Sequence, residues 1–248
     1  MQYKEFGSKD KEIIILLHGG GLSWWSLQRV VDILEKEYYV VTPIIDGHGE
    51  DGENSFLSIE DSAKKLIEYI DSNFGGKVLA IGGLSLGAQI VTEVLSERMD
   101  ITEFAIIESA LVLPIMGTAA MAWSYNLIFG LIKQRWFSKM QAKSMAVPEE
   151  WFELYYEDSS KMSKQSLINI TLSNGNYALK TSISNVKAKV LVIAGEKEIG
   201  IMKKSANILH EAISGSELHI AQSLKHGELS IAYPQKYSEL LKDFIKIR

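Results

Sequence analysis

At 248 residues, 46% hydrophobic and 23% charged, the chain is long enough to bury a large core as a single α/β fold. A net charge of −5 with no basic stripe argues against a nucleic-acid partner, and the lack of cysteine excludes disulfides, thiolate metal sites and cysteine nucleophiles. The first residues, MQYKEFGSKDKE, hold no apolar core of signal-peptide length, so a cytoplasmic protein is the default expectation.

The first apolar run, IIILL (13–17), reads as a strand and runs straight into HGGG (18–21). An amphipathic helix over 24–36 follows, with Leu27, Val30, Val31 and Leu34 on one face. The second strand, YYVVTPII (38–45), ends in the turn DGHG, and a helix over 58–70 aligns Ile59, Ala63, Leu66, Ile67 and Ile70. Strand 77–82 (KVLAIG) leads into GLSLG (83–87) and a helix over 86–97; EFAIIES (103–109) is the fourth strand. Beyond Val186 come strand 189–195, helix 202–213, strand 217–222 and helix 235–246. Near-continuous apolar strands alternating with helices predict a doubly wound, mostly parallel sheet.

The alternation fails between Ser109 and Val186, which has helical spacing, many aromatics and no convincing strand. It is expected to be a helical insertion over the sheet. Its first part, Ser109 to Ile132, carries no charge, which raises the question of a membrane span. Pro114, Gly117, Ser124, Asn126 and Gly130 interrupt it and no basic cluster marks a cytoplasmic flank, so stable membrane insertion is not expected.

GLSLG places Ser85 at a corner directly after a strand and at the opening of a helix. Such a corner strains the serine backbone and holds the hydroxyl clear of both elements, while the flanking glycines allow close backbone approach. Other glycine patterns fail. Gly82 and Gly87 have phosphate-loop spacing, but Ala88 and Gln89 stand where Lys and Ser/Thr are needed. Trp24 occupies the third-glycine place of a dinucleotide fingerprint begun at Gly19.

A serine nucleophile needs a base, a group to orient that base, and donors for the oxyanion. Of the five histidines, only His226, in the loop SLKHGELS, combines a loop position with a strand end. His18, His48, His210 and His219 read as structural. For the acid, strand ends offer Glu196, Glu198 and Glu108. The oxyanion donors expected are the backbone amides of Leu86, just after Ser85, and of Gly20 in HGGG.

Taken together, HGGGLSWW, PIIDGHGEDGEN, GLSLG and the pair VLVIAGEKE with KHGE resemble the α/β-hydrolase superfamily along nearly the whole chain, in family order. The family's D-x-x-G-H-G turn is shortened here to D-G-H-G. The resemblance implies an α/β-hydrolase core over 1–110 and 185–248, with a helical cap over 111–184. It favours Glu198 as the acid, although the family usually has Asp there. It further implies that the family's early antiparallel strands are reduced to a short piece. The expected activity is hydrolysis of carboxylic esters through an acyl-enzyme, with Ser85, His226 and Glu198 as the triad. Neither metal nor organic cofactor is implied. Trp24, Trp25 and Trp123 are candidate contacts to an apolar acyl group of small to medium size, or else packing between cap and core. A same-fold acyltransferase, a C–C bond hydrolase and a non-catalytic ligand-binding member remain open alternatives. The partner expected is a small-molecule ester, and the sequence does not speak to oligomeric state.

Overall fold

In the computed structural model, which describes residues 1–246, the apolar runs become a seven-stranded sheet. Its strands are β1 (Gln2–Phe6), β2 (Ile13–Leu17), β3 (Tyr39–Ile44), β4 (Val78–Leu84), β5 (Thr102–Glu108), β6 (Lys189–Gly195) and β7 (Glu217–Ala221). Their spatial order is β1-β3-β2-β4-β5-β6-β7. Every neighbouring pair is parallel except β1 with β3. The six strands read from sequence are all present. The additional β1, with the pattern QYKEF, is half-exposed along its length, so it lacks the apolar run that marks the others. It is the short antiparallel piece that precedes the parallel sheet.

The continuous apolar strands follow from burial on both faces. Ile14 and Leu16 of β2 join a core with Val40, Ile106 and the helices α1 (Gln28–Leu34) and α10 (Pro234–Ile245). Ile15 and Leu17 point the other way, into a core with α2 (Ile59–Phe74), α3 (Leu86–Glu97) and α8 (Gly200–Ala212). Each such fully buried Ile or Leu contributes about 1.5–3 kcal/mol relative to exposure. Helix α2 outruns its expected end: Ser58 Oγ caps it by accepting from Asp61 N (3.1 Å), and it stops only at Gly75, φ 65°. The segment expected as one helix over 24–36 instead begins as a 3-10 turn (Trp24–Leu27) before α1.

From β2 the chain moves to β3 on one side, then crosses back to β4 on the other. The strand order therefore reverses between β2 and β4, and a crevice opens there at the carboxyl ends of the strands. Between β5 and β6 lie four helices, α4 (Thr118–Ile132), α5 (Arg135–Ser144), α6 (Phe152–Lys161) and α7 (Lys164–Asn176). Among the described residues no helix is long and apolar enough to cross a membrane.

Polar contacts fasten these helices to the sheet's own. Gln89 of α3, fully buried, donates from Nε2 to the carbonyls of Leu111 (2.7 Å) and Asn174 (3.1 Å), the two ends of the helical segment. On α7, Asn169 Nδ2 donates to Phe56 O (2.8 Å), and Ser173 Oγ accepts from Ile59 N (3.0 Å). Buried Glu93 accepts from Tyr177 OH (3.1 Å) and Lys180 Nζ (2.5 Å) just past α7.

Gln89→Met keeps most of the volume but leaves two buried carbonyls without their donor. It should lower the unfolding free energy by about 2 kcal/mol and speed proteolysis within residues 111–176. Urea melts and limited proteolysis read both effects; an unchanged midpoint and an unchanged cleavage rate would contradict this role for Gln89.

Candidate active site

Ser85 sits where β4 turns into α3, with φ 53° and ψ −112°, outside the regions an L-residue prefers. Such a conformation costs of order 1–3 kcal/mol and persists only when its surroundings enforce it. Two hydrogen bonds clamp it: Ser85 N donates to Glu108 O, and Gln89 N donates to Ser85 O, each at 2.9 Å. The glycines make the corner sterically possible. A Cβ on Gly83 would lie 2.4 Å from the Gly87 carbonyl, and one on Gly87 would lie 2.6 Å from the carbonyls of Leu17 and His18.

The structure brings Ser85, His226 and Glu198 together from three strand ends. His226 Nε2 is 2.9 Å from Ser85 Oγ, and Nδ1 is 3.2 Å from Glu198 Oε2. Glu198 Oε1 accepts from Ser109 Oγ (2.7 Å) and Gly195 N (2.9 Å). Burial alone would raise the Glu198 pKa. The bonds from His226, Ser109 and Gly195 outweigh it and hold the carboxyl below its ordinary value. An ionised carboxylate accepts only, so His226 Nδ1 carries the proton and Nε2 is left to accept from the Ser85 hydroxyl.

The loop that presents His226 is fixed by backbone contacts. Lys197 N donates to Leu224 O (2.9 Å), and Gly227 N donates to Ser109 Oγ (3.3 Å). Gly227 adopts φ 67°, and a Cβ there would lie 2.8 Å from the Leu84 side chain. A short helix unforeseen in the sequence, α9 (Glu228–Ala232), follows directly.

The two other acid candidates face elsewhere. Glu196 Oε2 accepts from Ser223 N (2.7 Å), a stitch between the loops after β6 and β7. Glu108 is buried beneath α9, where Oε1 accepts from Ser230 N (3.3 Å) and Oε2 has no partner. Burial pushes its pKa up to about 7 against the pull of the Ser230 bonds, so it keeps its proton at mildly acidic pH, where an ordinary carboxyl has lost it. Ser109 was not singled out in the sequence as part of the site. Its only sequence signal was its place at the end of a strand, one residue past Glu108.

Gly20 borders the same cavity as Ser85, and a Cβ on it would lie 3.4 Å from the Leu86 side chain. Leu86 opens α3, so its N–H has no acceptor within the helix. The Gly20 loop is held from behind by His18. Its Nδ1 donates to Gly19 O (2.9 Å), and its Nε2 accepts from Ile45 N (3.1 Å). Burial, reinforced by neighbouring His48, pushes the His18 pKa down to about 3. Burial also takes His48 down to about 4. His210 bonds Ser216 on the far side of α8, and His219 lies within β7.

The cavity beside Ser85 measures about 290 Å³ and has no charged side chain in its lining. Its walls are mainly apolar side chains of the helical segment, among them Met121, Tyr125, Ile132, Met145, Leu167 and Ile170, with Gln141, Ser159, Thr171 and Asn174 as uncharged polar members. None of the three tryptophans is in that lining, and Trp25 takes the packing role that the sequence left open, against Trp151 of the helical segment. Trp25 is buried and donates to Asp158 Oδ2 (2.7 Å), because its indole N–H needs an acceptor once out of water. Trp24 donates to Glu50 Oε1 (3.3 Å) at the surface, and Trp123 is 63% exposed. The residues that do line the cavity are mostly aliphatic, Met and Tyr side chains, joined by the uncharged polar Gln141, Ser159, Thr171 and Asn174, and none of them stands in a motif that the sequence would mark.

The profile of the alpha/beta hydrolase family matches residues 14–196. Among solved structures, an enol-lactonase from Burkholderia xenovorans superposes with a TM-score of 0.82 at 15% identity, over 99% of this chain and 96% of that one. An esterase from Exiguobacterium antarcticum gives 0.80 at 17%, over 98% and 94%. A putative alpha/beta hydrolase family protein from Desulfitobacterium hafniense gives 0.75 at 22%, over 98% and 100%. At such identities the likeness establishes the fold. No curated protein matches the chain significantly.

The raised Glu108 pKa has a stability consequence with a definite sign. The folded state holds this proton up to about pH 7, whereas the unfolded chain releases it near the ordinary value of 4.5. Its stabilising contribution is therefore complete below pH 4.5 and lost as pH rises through 7. Against Glu108→Gln, which never ionises, the wild type should lose about 3 kcal/mol of relative stability between pH 5 and pH 8. Urea melts of both proteins at the two pH values measure it, and a constant difference would refute the assignment.

Proposed function

The chain belongs to the alpha/beta hydrolase family, and on that premise we propose that it is a serine hydrolase cleaving neutral carboxylic esters of small to medium apolar acyl groups. The observation that carries this reading is the unbroken relay from Glu198 through His226 to the Ser85 hydroxyl, with contacts of 3.2 and 2.9 Å.

In the proposed reaction, Ser85 Oγ attacks the ester carbonyl while its proton passes to His226 Nε2. The carbonyl oxygen becomes an oxyanion held by the amides of Gly20 and Leu86, each such donor being typically worth about 10²–10³ in turnover. Collapse of the tetrahedral intermediate breaks the ester C–O bond, and His226 gives its proton to the departing alkoxide. Water then attacks the acyl-enzyme, surrenders a proton to His226, and releases the acid as Ser85 regains its own. Glu198 stays ionised throughout and stabilises the imidazolium. Helices α4–α7 serve as a cap whose inner surface receives the acyl chain. The uncharged lining supports a neutral, apolar group, since a carboxylate there would lose its hydration without a cation to replace it.

Ser109 is the positioning residue for the relay, because its hydroxyl joins Glu198 to the backbone of the His226 loop.

Intact-mass analysis after a fluorophosphonate tests the reading directly. One adduct is expected on the wild type, none on Ser85→Ala, and slowed labelling on His226→Ala and Glu198→Ala. Unlabelled wild-type protein, folded by circular dichroism, would overturn the proposal. A p-nitrophenyl ester chain-length series should then favour short to medium acyl groups. With the preferred ester, Ser109→Ala should lower kcat about tenfold with little change in KM. A change in KM alone would place Ser109 outside the relay.

A further inference from the structure

Among the described residues, the outer face of α4 and α5 gathers a run of exposed large hydrophobic side chains. Trp123, Leu127 and Leu131 recur every four residues along α4, so they form one stripe, and all three are exposed. Leu127 is 73% exposed. On α5, Trp136 and Met140 extend the stripe at the same spacing, 63% and 57% exposed. The opposite side of α4 supplies Met121, Tyr125 and Ile132 to the cavity beside Ser85. A helix without a charged residue on either face is ordinarily buried or in contact with lipid. Here half of it meets solvent.

Within the segment that carries the stripe the charges have a single sign. From Ser109 to Pro148 the chain contains Lys133, Arg135, Lys139 and Lys143 and no acidic residue, although the remainder carries an acidic surplus. Lys139 and Lys143 are one turn apart on α5, interleaved with Trp136 and Met140. The nearest acids come from the following segment and are already engaged: Glu149 by Lys139, Glu150 by Arg29, and Glu153 by Arg135. Among the described residues neither Lys133 nor Lys143 forms an ion pair, and Lys133 Nζ lies 5.3 Å over the Phe129 ring.

We infer that this face is a docking surface for an anionic lipid bilayer. Aromatic and aliphatic side chains flanked by lysines that can extend their amines to headgroups are the composition of an in-plane interfacial helix. With 15 residues α4 is too short to span the hydrocarbon, which needs about 20, so it lies along the interface. A second copy of this chain fits less well. Two-fold pairing over the stripe would set the unpaired Lys133 and Lys143 against their own copies, and the nearby carboxylates of Glu149, Glu150 and Glu153 are already engaged. A bilayer with anionic headgroups answers them all and also accepts the apolar stripe. Docked there, α4 would present one face to lipid and the other to the Ser85 cavity.

Sedimentation of the full chain with vesicles tests this, using pure phosphatidylcholine and phosphatidylcholine with one-third phosphatidylglycerol, at low and high salt. Binding is expected to the anionic vesicles and to fall as salt screens the lysines. Lys133→Gln with Lys143→Gln should weaken partitioning about thirtyfold. Leu127→Ser with Trp136→Ser should weaken it at least about tenfold, with unchanged thermal melts for both pairs. Brominated lipid should quench tryptophan fluorescence in the wild type, a readout that needs no variant. Ser85→Ala should bind as the wild type does, which separates failure here from failure of the ester-hydrolase reading. Absence of vesicle binding, binding indifferent to both variant pairs, or a stable dimer that requires Leu127 and Trp136 would each overturn the inference.

Discussion

The site depends on the close approach of α3 to the end of β2. Gly87 lies so near the carbonyls of Leu17 and His18 that no side chain fits, and Gly83 lies equally near the Gly87 carbonyl. Without those contacts the corner at Ser85 would relax toward an ordinary backbone, and its hydroxyl would swing away from His226. Sheet order supplies the rest. Because β4 lies between β2 and β5, with β6 and β7 beyond, the strand ends put Gly20, Ser85, Ser109, Glu198 and the His226 loop along one edge. Residues more than a hundred positions apart converge with no long loop, which is why the site is rigid where it must be.

Two buried glutamates near His226 have their pKa values moved in opposite directions, and the difference lies in how many donors reach each. Glu198 receives His226, Ser109 and the Gly195 amide, and its charge is more than compensated. Glu108 receives Ser230 alone, and burial wins. Were Glu108 also ionised, it would compete with Glu198 for the same imidazolium. The same reasoning keeps His18 and His48 neutral: each is fully buried, and the pair could charge only at mutual cost. A neutral His18 can both donate to Gly19 and accept from Ile45, which a protonated ring could not.

Much of this was legible in the sequence because it depended on local pattern. Uninterrupted runs such as IIILL and KVLVIAG could be buried on both faces only in a parallel sheet, and the helix over 86–97 was readable to the residue. What escaped had no local signal. β1 carries Gln2, Lys4 and Glu5 among its five residues because it is an edge strand that stays half-exposed to water. Ser109 looks like any strand-end serine until β6 and the loop after β7 are brought beside it. The sequence left the tryptophans between substrate contact and packing, because size alone serves both; an indole N–H seeks an acceptor, and Trp24 and Trp25 reach carboxylates outside the cavity. The meaning of the uncharged run also needed coordinates, since apolarity alone cannot say which face of α4 is covered.

Ser85 and Ser109 deserve to be considered as a pair. In the β4–β5 ladder Leu84 stands opposite Glu108, so these serines are the next residues on adjacent strands. Each continues the ladder through its amide, Ser85 to Glu108 O and Ser109 to Ile193 O. Each then turns into positive φ, 53° and 58°, which glycine would adopt without strain. The chain uses serine at both places, and both hydroxyls touch the relay, one at His226 and the other at Glu198. A strained residue costs of order 1–3 kcal/mol, and a hydrogen bond to a charged group returns about 1.5–3 kcal/mol. For Ser109 the bond to Glu198 can thus offset its own strain in the resting protein. Ser85 bonds an imidazole nitrogen and not a carboxylate, so its strain is left to the ladder and the two glycines to enforce.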